Sequence, residues 1–451
     1  MSLYDFHSYV NKTNLSKAWY ERACKVFPGG ISHNIRFFPP YPFFVERAHG
    51  KNLKDVDGNT FVDFWMGHWA LILGHSPQNV VQPLEKALGQ GTIFGTVNDT
   101  SVLLGEIIQK FVPSAELMRF CSTGSEATMY ATRIARAFTG KRIVAKVLGG
   151  WHGFNSDLMH SVNYPFEINE GLGLTGGEGN FVESIPFNDL AGSIAILDTV
   201  KDDLACIILE PVLGGAGGVV GEREYLVGLR EYANKNNVLL IMDEIVTGFR
   251  LNFGTLSASY GIEPDLLTLG KIVGGGFPIG VVSGKEEIMK IIDTSLKEKP
   301  DRCYVGGGTF SSNPISMKAG LLTMDYLKRN NETIYTKINR LGKEARSKLH
   351  QLFADFGIDV EVTGLGSLIN VHFLNQNVKT IKNATDAAMT DQEKLLKYHL
   401  CLLADYGIFF LPKKMGAISF VHDNEDLDLL LSATNDIIDR GIFEQSIAKR
   451  K

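Results

Sequence analysis

The sequence predicts an α/β protein: a large domain on a mostly parallel sheet flanked by helices, with a smaller α+β domain assembled from both chain ends. Three observations lead there. Short aliphatic runs, Ile143–Val147, Ala205–Leu209, Val238–Met242 and Leu266–Leu269, are apolar on both faces, the pattern of strands covered on both sides. Between two of them, Tyr225 to Asn237 has the length of a crossover helix, which parallel neighbours require. At 451 residues the chain also exceeds what one compact core supports. The two flanks read differently, with mixed short strands and long amphipathic helices such as Gln392 to Tyr406. The expected division is therefore 1–70 and 326–451 for the smaller domain and 71–325 for the larger. No repeat, low-complexity tract or Pro/Ser linker interrupts the chain.

Composition excludes several classes of function. With 44% hydrophobic and 21% charged residues, the chain is neither disordered nor a coiled coil. A formal charge of −5, with Lys and Arg spread along the chain, offers no footprint for nucleic acid. Cys24, Cys121, Cys206, Cys303 and Cys401 lie far apart and form neither CxxC pairs nor a zinc pattern, so reduced thiols and no metal are expected. The start lacks a basic segment followed by an apolar one, and no apolar run reaches bilayer-spanning length. The expectation is a cytoplasmic protein without a membrane partner.

In open α/β sheets ligands sit beyond the carboxyl ends of the strands, so the residues after the aliphatic runs are the ones to inspect. In Cys121–Thr128, Thr123 and Glu126 have capping-box spacing, and a helical run follows to Gly140. Free amides at that helix start, with Gly124 permitting close approach and Ser125 offering a hydroxyl, form a cradle for phosphate. A capped helix that binds nothing carries the same signature. The run Val238–Met242 ends in Asp243 and Glu244. A buried aspartate there suits a protonated pyridine nitrogen, although a magnesium carboxylate or a helix cap would read alike. Lys271 lies among apolar and glycine residues, and a desolvated lysine keeps a neutral amine able to form an imine. The glycines Gly274–Gly276 are expected to let backbone approach a flat cofactor. Phosphate cradle, ring-nitrogen carboxylate and imine lysine together describe pyridoxal 5'-phosphate.

These segments, with Phe27–Ser32, Asp55–Asn59, Leu73–His75, Trp151–Gly153, Glu210–Val212, Asp243–Arg250 and Gly308–Pro314, resemble the class III aminotransferases almost end to end. The pattern is similar to that of glutamate-1-semialdehyde 2,1-aminomutases and their aminotransferase relatives. The resemblance implies the fold type I architecture of pyridoxal-phosphate enzymes, with Lys271 as Schiff-base lysine and proton shuttle and Asp243 as partner of the ring nitrogen. It implies phosphate contacts from Gly124 and Ser125, joined by Thr309 from the neighbouring subunit of a homodimer. Trp151 would stack on one ring face and Ile245 pack on the other, with Glu210 also in the cofactor environment. A plain core aromatic is the competing reading for Trp151, and a buried structural histidine for His152. Arg36 would pair with the substrate carboxylate, unless it is simply solvated, and Trp69 would line the substrate entrance.

The chain departs from the aminomutase pattern at three places. Gly215 stands where mutases commonly carry Asn, Pro412–Ala417 lacks the glutamate of their Pro-Ser-Gln-Phe-Glu-Ala segment, and Asn169–Asn180 is unlike their lid. The expected activity is therefore transfer of an amino group from an amino acid to an oxo acid, with the semialdehyde aminomutase as the alternative. The aromatic run Phe37–Phe44 suggests a β- or aryl-amino acid donor, or else core packing. A nicotinamide dehydrogenase is disfavoured, because neither Gly214–Gly218 nor Gly274–Gly280 has GxGxxG spacing after a strand.

Overall fold

A computed structural model of the chain describes residues 6–168, 170–174, 181–296 and 302–443. Of the lid-like stretch, Asn169 and residues 175–180 lie outside the described residues. The chain forms two compact units: Gln78–Thr336 with Ile381–Ala388, and Met1–Pro77 with Lys337–Thr380 and Met389–Lys451. A boundary at 325 would cut the helix Pro314–Arg329, which packs along helices Gln78–Leu88 and Asp99–Phe111 and against the turn Lys271–Gly274, all of the larger unit. The return of 381–388 to that unit has no signature in hydropathy.

The larger unit holds a seven-stranded sheet, made of β1 (Leu117–Cys121), β2 (Ile143–Val147), β3 (Val182–Ile185), β4 (Leu204–Leu209), β5 (Leu239–Asp243), β6 (Leu266–Gly270) and β7 (Gly280–Gly284). Its order is β1-β7-β6-β5-β4-β2-β3. All pairs are parallel except those made by β7, which runs antiparallel to both β6 and β1. Every residue of β4, β6 and β7 is buried, which explains the aliphatic runs of β4 and β6. Helices α1 (Gly124–Thr139), α2 (Leu190–Val200) and α3 (Arg223–Asn236) connect the parallel strands. The expected helix at 225–237 is α3, which starts two residues earlier and stops at Asn237 in a left-handed conformation.

The start of α1 is fixed locally by its capping box and the end by Gly140 at φ 69°. Its inner face, Ala127, Ala131, Ile134 and Ala135, belongs to the same core cluster as Ile208, Ile241, Leu266 and Val282 of the sheet. Small residues on that face let the helix lie close, so its first turn comes to the carboxyl edge of the strands. Register then decides which side chains meet there. Asp243 is opposite Thr268, and Met242 is opposite Leu209, so Glu210 just past β4, Asp243 at the end of β5 and Thr268 within β6 lie abreast.

In the smaller unit, strands Val45–His49, Asn52–Asp55, Thr60–Asp63 and Ile408–Phe409 form one sheet, and Val360–Thr363, Leu368–Phe373 and Gly416–Ala417 another. The helix expected at Gln392 to Tyr406 has those limits. The aromatic run is core packing: Phe38, Tyr41 and Phe43 are buried, and the Phe43 ring lies 4.6 Å from Phe61 and 5.0 Å from Phe409. It therefore carries no argument about the substrate.

Strand β7 has a glycine where it passes the start of α1. A Cβ on Gly280 would lie 2.1 Å from the carbonyl oxygen of Thr123, a backbone atom that cannot swing away. Gly280→Ala is expected to cost about 2–3 kcal/mol by overpacking, read as a lower denaturation midpoint with unchanged slope. An unshifted midpoint would show that β7 and the helix start can separate freely.

Candidate active site

Asp243 closes β5 with its carboxylate buried. Oδ1 accepts from the Thr268 hydroxyl at 2.9 Å and the Ile245 amide at 3.2 Å, and Oδ2 accepts from His152 Nδ1 at 2.8 Å. His152 is fully buried and its Nε2 has no acceptor among the described residues, so the ring proton belongs on Nδ1, facing Asp243. Burial lowers the His152 pKa against the pull of Asp243, which keeps the ring neutral. Its place is secured by Gly150, where a Cβ would come within 3.0 Å of Nε2. His152 thus touches the Asp243 carboxylate directly. Thr268 lies within the aliphatic run Leu266–Leu269, where the sequence marks no role for it; its signal is the strand register opposite Asp243.

Glu210 ties two loops to this row. Its Oε1 accepts from the Trp151 amide at 2.9 Å and its Oε2 from the Gly214 amide at 3.1 Å. Burial, with Asp243 nearby, pushes its pKa up to about 8. A second buried base, Lys146 on β2, gave no signal in sequence because it sits singly in an aliphatic run. It is wholly buried and donates to the His160 carbonyl oxygen. Burial lowers its pKa to about 7, opposed by the Glu170 and Glu210 carboxylates.

Lys271 follows the last residue of β6 and adopts φ 46°, a left-handed conformation that a side-chain-bearing residue holds only under tertiary constraint. Burial depresses its pKa; Asp243 and Glu210 oppose the shift and the Arg250 guanidinium reinforces it. Two of the glycines that follow, Gly274 and Gly275, are required by close packing. A Cβ on Gly274 would meet Ile279 at 2.6 Å, and one on Gly275 would meet the Ala319 carbonyl at 2.5 Å. Gly275 thereby lets the turn after Lys271 lie against helix Pro314–Arg329.

At the start of α1, Glu126 Oε2 accepts from the amides of Ser122 and Thr123 at 2.7 and 2.9 Å, while Thr123 Oγ1 accepts from the Glu126 amide at 3.1 Å. The amides of Gly124 and Ser125 are the first two of the helix and have no intrahelical acceptor. A Cβ on Gly124 would lie 2.6 Å from Ile245 Cδ1, and one on Gly153 2.3 Å from Ser125 Oγ. Ile245 thus borders the cradle, and the loop after Trp151 lies on Ser125. Trp151 is 40% exposed while its backbone amide donates to Glu210. Gly215 lies against it, a Cβ there meeting Trp151 Cβ at 3.3 Å.

The contacts above and the electrostatics of Lys271 thus bring together Gly124, Ser125, Trp151, His152, Glu210, Asp243, Ile245 and Lys271. Thr309 is exposed, one residue beyond Gly308, which borders Glu126. Arg36 and Trp69 belong to the smaller unit. Arg36 is exposed and ends a 3₁₀ turn, Asn34–Arg36. Trp69 is buried, its indole N–H donating to the Met415 carbonyl at 2.7 Å. No group of side chains able to hold a metal occurs among the described residues.

Residues 37–393 match the family described as aminotransferase class-III. The chain belongs to the class III aminotransferases. It is 37% identical over 425 residues to a glutamate-1-semialdehyde 2,1-aminomutase of Methanothrix thermoacetophila, covering 93% of this chain and 95% of that protein. Among solved structures it resembles a transaminase with pyridoxal phosphate bound, at 30% identity and TM-score 0.86 over 96% of this chain and 99% of that one. It also resembles a β-phenylalanine aminotransferase from Variovorax paradoxus, at 27% identity and TM-score 0.87 over 97% and 96%. This class III enzyme has the fold type I architecture and is pyridoxal-phosphate-dependent.

Lys146 offers a test of these buried charges. Between about pH 7 and its ordinary value of 10.5, Lys146 is neutral in the folded enzyme and charged in the unfolded chain, so its penalty on stability is relieved as pH rises. In denaturant titrations the stability of Lys146→Met relative to the wild type is expected to be greatest below pH 7 and to decline towards pH 10. A difference independent of pH would mean that the lysine titrates as if exposed.

Proposed function

We propose that the chain is an intermolecular aminotransferase that takes the amino group of an amino acid and delivers it to an oxo acid, with Lys271 holding pyridoxal 5'-phosphate as a Schiff base. The observation that carries the Lys271 assignment is its buried, depressed amine at the end of β6, beside the strand that ends in Asp243. The surrounding residues fit the cofactor. The open amides of Gly124 and Ser125 suit a phosphate, as helix starts do. Asp243, held from three sides, has lone pairs left for a protonated ring nitrogen. Ile245 and the exposed Trp151 suit the two sides of a flat ring. Thr309 is proposed to complete the phosphate site of a partner subunit in a homodimer. Among the described residues no helix is long and apolar enough to cross a membrane, and a cytoplasmic location is part of this reading.

Bound there, the cofactor supplies an electron sink for the charge left when the substrate loses a proton. Lys271, whose charged form burial disfavours, is the base that takes that proton and returns it one position away. Asp243 keeps the ring-nitrogen proton in place, and His152 and Thr268 keep Asp243 in place. Arg36 is proposed to meet the substrate carboxylate, whose planar geometry a guanidinium matches; Trp69 is proposed to line the approach.

Two features of the chain favour intermolecular transfer. Gly215 stands where mutases commonly carry asparagine and lies against Trp151, whose Cβ an added Cβ would meet at 3.3 Å, and the segment Pro412–Ala417 lacks a carboxylate. A β-amino acid donor is supported by the likeness to the β-phenylalanine enzyme. The second reading, glutamate-1-semialdehyde 2,1-aminomutase, is favoured by the names of curated relatives 34–37% identical to the chain.

Incubation of the holoenzyme with glutamate-1-semialdehyde alone is expected to give no 5-aminolevulinate, whereas β-phenylalanine with 2-oxoglutarate or pyruvate is expected to turn over. Product from the semialdehyde alone would establish the mutase instead. Lys271→Ala is expected to abolish both turnover and the near-ultraviolet band of the Schiff base. A variant that kept the band would remove Lys271 from its role.

A further inference from the structure

The smaller unit contains a pair of histidines that the aminotransferase reading leaves without a task. The His33 and His68 rings stack nearly parallel, with centroids 5.3 Å apart and planes 9° apart. His33 opens the 3₁₀ turn that Arg36 closes: its carbonyl accepts from the Arg36 amide at 3.0 Å, so the two side chains leave neighbouring points of one turn. His33 is exposed and His68 half-buried.

His68 is held in place at a conformational cost. Met66, Gly67, His68 and Trp69 all have positive φ, at 45°, 57°, 61° and 66°, a left-handed turn in which three residues carry side chains. Each such residue costs roughly 1–2 kcal/mol, and the turn persists only where its surroundings over-determine it. Here they do. Asp63 Oδ1 accepts from the amides of Trp65 and Met66 at 2.7 and 3.0 Å, and the Trp69 indole is anchored on Met415. Trp65 packs against the His68 ring at 4.7 Å. The strain therefore fixes one imidazole rigidly beneath another, next to an exposed guanidinium.

The charges around His33 are one-sided. Partial burial and Arg36 on its own turn both lower its pKa, the facing group is the His68 imidazole, and no carboxylate acts on it among the described residues. An incoming carboxylate supplies the missing counter-charge, and the π-face of His68 supports the proton that His33 then takes up.

We propose that His33, braced by His68, is a second anion-binding side chain beside Arg36, so that guanidinium and imidazole hold the substrate carboxylate together and favour amino acids over simple amines. The proposal rests on the reading that Arg36 meets the substrate carboxylate. Because the imidazole must be protonated to serve, the preference is lost as pH rises through the pKa that His33 has in the complex.

The experiment uses two reagents that capture the cofactor aldehyde whatever the natural substrate: aminooxyacetate, which carries a carboxylate, and O-methylhydroxylamine, which does not. The ratio of their second-order rate constants with the holoenzyme is followed by absorbance from about pH 5 to 8. In the wild type the ratio is expected to fall as pH rises. In His33→Ala it is expected to drop about tenfold at pH 6, the worth of one hydrogen bond to a charged group. His33→Gln, which keeps a polar side chain at an exposed position, is expected to give a pH-independent ratio, and His68→Ala a partial loss.

If Arg36→Ala lowers the ratio while the His33 variants behave as wild type, this proposal is overturned and the Arg36 reading stands. If neither position matters, both fall. If neither reagent produces a spectral change in the wild type, the cofactor reading itself is wrong, and the proposal goes with it.

Discussion

The burial of the Asp243 carboxylate is the constraint on which the larger unit's carboxyl edge depends. An unpaired buried charge is far too costly to persist, so the fold has to deliver donors to it. They come from three places: a hydroxyl one strand away at Thr268, an amide two residues on at Ile245, and an imidazole from the loop after β2 at His152. Each constrains what surrounds it. The imidazole needs the space left by Gly150, and the loop that carries it is tied by its Trp151 amide to Glu210. The hydroxyl needs the parallel register of β5 and β6.

The same burial shifts the other ionisable groups around Asp243 towards their neutral forms. Glu210 is raised while Lys146, His152 and Lys271 are lowered, in each case with burial as the leading cause. For Lys271 that shift is what an imine-forming, proton-moving amine requires. For Lys146 and Glu210 it is the cost of filling a dry edge with groups that hold loops by their hydrogen bonds. Reactivity and loop positioning here share one physical cause.

Glycine supplies the tolerances. At Gly280, Gly124 and Gly153 a single added carbon would collide with the helix start, with Ile245 or with Ser125, so closeness there is bought by missing side chains. In the smaller unit the opposite device is used at Met66–Trp69, where side chains are kept in left-handed conformations that glycine would adopt freely. A strained turn is kept only where the positions of its side chains matter, which is why His68 and Trp69 repay attention.

Much was determined by the sequence itself. Unbroken aliphatic runs and the capping box of Thr123 and Glu126 encode their structure locally, so β2, β4, β5 and β6, the limits of α1 and the helix at Gln392–Tyr406 were legible. So was the placement of Asp243 and Lys271 at the carboxyl edge of the sheet, because one ends a buried strand and the other follows one. Tertiary structure alone decided the rest. The antiparallel β7, rich in glycine and small residues, is a strand only because its neighbours pair with it. Thr268, Lys146 and the Gly215 contact with Trp151 acquire meaning from register and close packing between distant segments. The packing served by Gly274 and Gly275 after Lys271, and by Phe38, Tyr41 and Phe43 in the aromatic run, is likewise tertiary, because hydropathy records that a residue avoids water without recording what it packs against.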